Sequence, residues 1–384
     1  MDQIEHLWRA GGVVEVIGRE ELEKALKEGK KLRIKYGADP TAPDLHIGNA
    51  VGLRKLREFQ ECGHTVIFIV GDYTAKIGDP SGKSKTRPML SDKEIKENAK
   101  TYFKQVGNIL DVNKIEIRHN SEWYKKTDLS SLLSLASRFS AQRILERDDF
   151  SNRLKNRISI HVHELLYPIL QAQDSIEVKA DVEIGGTDQK FNMLAGRDLQ
   201  RYLGIPEQAV ITLELLVGTD GAKKMSKSLG NYIGIAEGAN AMFGKIMSIP
   251  DGLIDTYYKL CTDAPRTAQD PREAKLELGK AVVGMYHGEK AAGSAEAEFI
   301  RVVSEGGVPE DVPALQLGIS EIGLLDLLVE AKMAASKGEA RRLVEQGGVK
   351  IDGAVQGDVR AVVSLEKAIV LQAGKRKFAR ISGK

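Results

Sequence analysis

The sequence predicts an α/β fold: a Rossmann-like parallel-sheet domain, then a helical domain, then a small C-terminal α+β domain. Three observations carry this expectation. Strand-like and helix-like segments alternate up to Asn231, as they do when helices cover both faces of a parallel sheet. Strand signals then fade, and Ala239 to Gly288 is rich in Met, Leu and Ala. The last sixty or so residues return to short helical and extended pieces with a basic balance. A chain of 384 residues accommodates two or three domains at roughly 150 residues each.

Each element has its own signal. Leu32 to Tyr36 reads as a strand, followed by a loop and a helix from about Gly48 to Gln60. Thr65 to Val70 is a short apolar, β-branched run, the mark of a buried parallel strand. Ser91 opens a helix, with Glu94 completing a capping box. Ile115 to Arg118 is a further strand candidate, and Leu129 to Ser137 and Ala141 to Asp148 read as helices. His163 to Gln173 reads as helical despite Pro168. Val178, Ala180, Val182 and Ile184 alternate with polar residues, which predicts a strand ended by Gly185 and Gly186. A helix is expected from about Asp188 to Leu203, then a strand from Val210 to Leu216. Gly306 to Pro313 has the composition of a linker. Beyond it, helices near Leu324 to Lys332 and Gly338 to Glu345 precede strands around Val349 to Ile351 and Ala368 to Leu371.

Composition narrows the function classes. Apolar residues make up 42% and charged residues 29%, ordinary for a globular protein with a real core. No run of eighteen apolar residues predicts a transmembrane helix, and Met1 to Ala10 lacks a secretory apolar region. Two cysteines, Cys62 and Cys261, neither staple a chain this long nor supply a four-thiolate metal site; a reducing cytoplasm is the expected location. The net charge of +2 is uneven: residues 331–384 carry twelve Lys/Arg against five Asp/Glu, a net +7, which leaves −5 for the rest. A basic tail on a mildly acidic body suits either an anionic partner or a solvated surface.

Two segments carry chemistry. The turn Asp39-Pro40-Thr41-Ala42-Pro43-Asp44-Leu45-His46-Ile47-Gly48-Asn49 joins a strand to a helix. Ligands of open α/β sheets bind there, and a helix N-terminus offers free N–H groups to phosphate. His46 can donate to a phosphoryl oxygen, and Gly48 admits close approach of a nucleoside. Lys223-Lys224-Met225-Ser226-Lys227-Ser228-Leu229-Gly230-Asn231 is a loop whose ammonium groups can neutralise charge during a transfer. Either segment alone also fits a plain turn or an exposed basic loop.

Together, the two resemble the signature pair of class I aminoacyl-tRNA synthetases. His163 to Ser175 is similar to the amino-acid-binding helix of the tyrosyl branch of that family. Gly185-Gly186-Thr187-Asp188-Gln189 and Gly78-Asp79-Pro80-Ser81-Gly82 match further segments of the same branch, in its bacterial form. The resemblance implies ATP as substrate, Mg²⁺ carried on the ATP phosphates with no dedicated protein metal site, L-tyrosine and tRNA(Tyr) as partners, and a homodimer. It implies three parts: a catalytic domain over 1–232 with an inserted helical segment, an anticodon-stem-binding helical domain over 233–318, and an alpha-L RNA-binding domain over 322–384.

Residue roles follow from the same resemblance. Thr41, His46, Lys224 and Lys227 are expected to act on the leaving pyrophosphate. Asp39, Gly48, Asn49, Gly186, Asp188, Met225 and Ser226 are expected around the adenylate, with Asp188 accepting from ribose hydroxyls. Tyr167, Asp79 and Gln171 would hold the tyrosine ammonium, Asp174 would accept from the phenol, and Gln189 would orient the carboxylate. Ser336 to Gly353 resembles the alpha-L module, with Arg341, Arg342, Lys375, Arg376, Lys377 and Arg380 placed to meet RNA phosphates.

Three positions depart from the family pattern. Asn49 replaces the more usual final His. Lys35 stands where a Tyr usually contacts the phenol, with a surface position as its plain alternative, and the neighbouring Tyr36 reads as core. Gln173 replaces the usual Tyr before Asp174. Other readings are weaker. Gly78 to Ser84 has three residues between its glycines, not the four of a P-loop, and no Gly-x-Gly-x-x-Gly occurs. His161, His163 and Glu164 have no third His or Cys nearby for a metal. A tryptophanyl enzyme and a non-catalytic RNA-binding relic are the remaining alternatives.

Overall fold

In the computed structural model, residues 7–8, 11–81, 89–304, 312–374 and 377–383 are described. By internal contacts the chain divides into two compact units, residues 1–289 and 290–384. Among the described residues no helix is long and apolar enough to cross a membrane.

The first unit is built on a six-stranded sheet of β1 (Val13–Ile17), β2 (Arg33–Ala38), β3 (Thr65–Val70), β4 (Ile115–His119), β5 (Val182–Gly186) and β6 (Ala209–Leu213). Its order is β1-β6-β5-β2-β3-β4. All neighbours are parallel except the edge pair β1 and β6. The chain runs outward through β2, β3 and β4, then returns to place β5 on the other side of β2. The sheet order therefore reverses between β2 and β5, and a crevice opens beyond their carboxyl ends. Apolar side chains of β3 and β6 are buried throughout, as parallel strands covered on both faces require.

The helices follow the sequence closely in the middle of the unit. Ile47–Glu61 packs on the sheet, and its Gly52 is required by contact: a Cβ there would lie 2.5 Å from the Tyr36 ring. Ser91 caps Asp92–Val106 through the expected box with Glu94. Val162–Glu177 runs through Pro168 without ending. The strand expected from Val178 begins only at Val182. Val178 caps the preceding helix and Lys179 takes a left-handed φ of 51°, so the chain turns there; Val178 and Ala180 are apolar because they fill the core beside Ile67 and Trp123. The Asp148–Lys155 helix, β1 and the Arg19–Lys27 helix were not legible in the pattern. Ala239 to Gly288 resolves into helices Ala239–Met247, Ile254–Cys261 and Pro271–His287.

In the second unit, helices Leu324–Glu330 and Lys337–Glu345 share an apolar core with a sheet. Its strands are β7 (Ala314–Gln316), β8 (Glu321–Gly323), β9 (Val349–Ile351), β10 (Ala354–Val355), β11 (Val362–Ser364), β12 (Ile369–Ala373) and β13 (Lys377–Ser382). The order is β10-β9-β12-β13-β7, with β8 and β11 paired separately. Most of the expected linker, Gly306 to Pro313, lies outside the described residues, as do Gly82, Lys83 and Ser84.

Candidate active site

A cavity of about 560 Å³ occupies the crevice at the sheet reversal. It is lined by all sixteen residues expected to bind ATP or tyrosine or to act on them: Asp39, Thr41, His46, Gly48, Asn49, Asp79, Tyr167, Gln171, Asp174, Gly186, Asp188, Gln189, Lys224, Met225, Ser226 and Lys227.

One end carries the cationic residues. His46 caps the Ile47–Glu61 helix, its Nδ1 accepting from Asn49 N at 3.2 Å while Asn49 Oδ1 accepts from His46 N at 3.1 Å. Burial, then the Lys227 charge, lowers the imidazole pKa to about 4, so the ring is neutral and its proton sits on Nε2. A neutral donor is thus aimed away from the helix. Asn49 keeps its Nδ2 as a donor, so the substitution for His preserves a hydrogen-bonding edge. Gly48 also serves His46, since a Cβ there would lie 3.0 Å from its Nδ1.

The lysine loop is pinned at its base. Val217 bridges Lys224, Met225 N donates to Leu216 O, and Met225 is 5% exposed. Asn231 fastens both sides: its Nδ2 donates to Asp220 at 2.9 Å and its Oδ1 accepts from Ser226 N at 2.8 Å. The two signature segments are also stitched together, with Ile47 N donating to Ile233 O and Ile235 N to Leu45 O. Lys224 Nζ lies 2.5 Å from Asp188. Lys227 has no ion pair among the described residues, and burial lowers its ammonium pKa to about 8.

The other end is acidic. Asp39 accepts from Thr74 Oγ1 at 2.8 Å and from the Tyr167 hydroxyl at 2.9 Å. Burial, with a smaller push from the Asp79 and Asp174 charges, raises its pKa to about 7. Asp79 accepts from Gln189 Nε2 at 3.0 Å and from Ser81 N at 2.9 Å. Asp174 Oδ1 accepts from Trp123 Nε1 at 3.0 Å and from the Tyr124 hydroxyl at 2.9 Å, while Oδ2, among the described residues, has only a 3.4 Å contact with Asn120. Burial raises the Asp174 pKa to about 6, with the Lys35 charge opposing it most. Oδ2 keeps room for one more donor.

The plain alternative for Lys35 is overturned. It is 1% exposed, not on the surface, and pairs with Glu183 at 2.8 Å, because β2 lies between sheet neighbours and beneath the Val162–Glu177 helix. Its Nζ also donates to Gln171 O and Ser175 Oγ. Glu183 in turn accepts from Gln171 Nε2, whose Oε1 accepts from Asn192, so both ends of the Gln171 amide are fixed. Tyr36 stacks on Phe68 but also lines the cavity, so it is not simply core. Gln173 is absent from the cavity lining and reaches Glu177 instead. Thr74, Asn120, Trp123, Tyr124, Glu183 and Asn192 were missed in the sequence, where no local spacing links them.

Arg153 grips both carboxylate oxygens of Glu164, at 2.7 and 2.9 Å. Among the described residues no group of three His, Cys, Asp or Glu could hold a metal. In the second unit, Arg341 and Arg342 are exposed on one helix, and Lys377 is exposed with one proton given to Met333 O at 2.7 Å. Lys375 and Arg376 lie outside the described residues.

This fold and site define a class of ATP-using synthetases, and comparison with known proteins agrees. The family model of class I tRNA synthetases (W and Y) matches residues 27–304, and that of the tyrosine–tRNA ligase SYY-like C-terminal domain matches residues 305–381. A tyrosine–tRNA ligase of Mannheimia succiniciproducens is 48% identical over 97% of this chain and 96% of its own. One from Thermotoga maritima is 47% identical over 97% and 95%. The chain belongs to the tyrosine–tRNA ligases of class I. The fold is shared with the Archaeoglobus fulgidus tyrosyl-tRNA synthetase solved with L-tyrosine, at TM-score 0.61 and 23% identity over 77% of this chain and 99% of that one.

Because the Asp39 carboxyl holds its proton up to about pH 7, an ammonium group arriving beside the neighbouring Asp79 should expel it. Tyrosine affinity is expected to fall between pH 8 and 6, by at most about tenfold per unit. Calorimetry near pH 7 in buffers of different ionisation enthalpy should register proton release; a buffer-independent heat would reject this role.

Proposed function

We infer that the chain activates L-tyrosine with ATP at this crevice and then transfers it to the terminal ribose of tRNA(Tyr). The observation that carries the reading is the charge separation within one cavity: Asp39, Asp79 and Asp174 at one end, Lys224 and Lys227 beside the neutral His46 at the other. The tyrosine carboxylate attacks the α-phosphorus of ATP and pyrophosphate leaves. Such a transfer needs alignment and charge stabilisation, not a covalent enzyme intermediate.

The geometry supports a role for each residue. Asp79 supplies the countercharge for the ammonium, with the Tyr167 oxygen and Gln171 beside it. Asp174 Oδ2 accepts from the phenol; phenylalanine would leave that buried carboxylate short of a donor, which is costly. Gln189, held by Asp79, faces the carboxylate. Asp188 receives the ribose once Lys224 has left it for the phosphates, and Lys227 follows on the same loop. Thr41, His46 Nε2 and Asn49 Nδ2 meet the nucleotide from the helix end, and Gly48, Gly186, Met225 and Ser226 shape its walls. Mg²⁺ enters on the ATP phosphates.

Residues 233–318 are assigned to the anticodon stem and 322–384 to RNA phosphate contact. Leu129, Leu133 and Val162 are 71%, 61% and 77% exposed, an apolar surface that a second copy would cover. A cytoplasmic location suits tRNA charging.

Amino-acid-dependent ATP–pyrophosphate exchange tests the activity. Exchange with tyrosine, and not with tryptophan or phenylalanine, is the expected result. Exchange with tryptophan would reverse the substrate, and none from folded protein would favour an RNA-binding relic. Arg341→Glu with Arg342→Glu should leave exchange unchanged and raise the KM for tRNA about tenfold or more, with a shallower salt dependence. An unchanged tRNA KM would move the RNA contact elsewhere.

A further inference from the structure

The Asp39–Leu45 turn carries Thr41 and leads directly into His46, yet has no regular pairing, and Pro40 and Pro43 contribute no N–H. Its backbone polar groups still need partners. One helix face provides them. Asn98, Thr101, Tyr102 and Gln105 recur on the Asp92–Val106 helix at a spacing that forms a single stripe. Asn98 Nδ2 donates to Pro40 O at 3.0 Å, Thr101 Oγ1 to Pro43 O, and the Tyr102 hydroxyl to Asp39 O at 3.2 Å. Gln105 binds twice: its Nε2 donates to Pro43 O at 3.1 Å and its Oε1 accepts from Leu45 N at 2.6 Å. It is 3% exposed.

We propose that Gln105 is a positioning residue for adenylate formation, its amide bracketing Asp44 and so fixing the direction in which His46 leaves the turn. It lies outside the cavity lining and acts only through the loop. The proposal rests on the reading that His46 serves the pyrophosphate end. Leu45 precedes His46 directly, so a shift at its N–H moves the imidazole relative to the phosphates. Alignment of reacting groups is sensitive to displacements of about 1 Å.

A double-mutant cycle separates positioning from mere support. The single-turnover rate of adenylate formation would be measured in the full chain for Gln105→Leu, His46→Ala and the pair, with tyrosine Kd and Tm alongside. Gln105→Leu should slow the step about 10- to 100-fold with tyrosine Kd within about twofold. In the His46→Ala background the same change should slow it less than about threefold, because the group being positioned is gone. Gln105→Glu keeps the acceptor for Leu45 N and should recover part of the rate; it carries the cycle if the leucine variant does not fold. Equal losses in both backgrounds, parallel losses in rate and tyrosine Kd, or an unaffected rate would each overturn the proposal. If His46→Ala alone left the rate unchanged, the reading of the phosphate end would fall, and the proposal with it. A slow His46→Ala with additive Gln105→Leu would remove the proposal alone.

Discussion

The reversal of sheet order between β2 and β5 is the constraint on which the rest depends. It brings Asp39, at the end of β2, opposite Gly186 to Gln189, at the end of β5, although some 150 residues separate them. The crevice is a consequence of topology, and the loops only furnish it. The Val162–Glu177 helix then adds Tyr167, Gln171 and Asp174 along its length, spaced so that they face the sheet.

Charge is distributed along the crevice in a way that suits its substrates. Acidic groups gather where burial makes ionisation expensive, as the raised pKa values of Asp39 and Asp174 record. A cationic group brought beside these carboxyls would offset that cost. At the opposite end the lysines sit on a loop held by Met225 and Asn231. Lys224 and Asp188 pair at 2.5 Å, and two charges already partly desolvated can exchange partners at modest free-energy cost.

Much of this was legible in the sequence because it is local. The capping box at Ser91, the apolar run of β3 and the two signature segments each announce themselves within a dozen residues. What was not legible is long-range. Lys35 stands out in the sequence only as a departure from the family pattern, and its burial is hidden until Glu183 and Ser175 are brought against it by the fold. Trp123 and Tyr124 reach Asp174 across about 50 residues of chain, and no spacing rule encodes that meeting. The alternation from Val178 to Ile184 misled for a related reason: tertiary packing made Val178 and Ala180 apolar while the backbone turned at Lys179.

One crevice is expected to join tyrosine to the AMP part of ATP and to hold the adenylate between its acidic and cationic ends. Trapping tests it most directly: the chain is mixed with labelled tyrosine, ATP and pyrophosphatase without tRNA, then passed through a desalting column. The account requires tyrosyl-adenylate to remain bound at a fixed stoichiometry per chain and to be discharged on adding tRNA. Free tyrosine alone in the protein fraction, or adenylate formed equally from tryptophan, would contradict it.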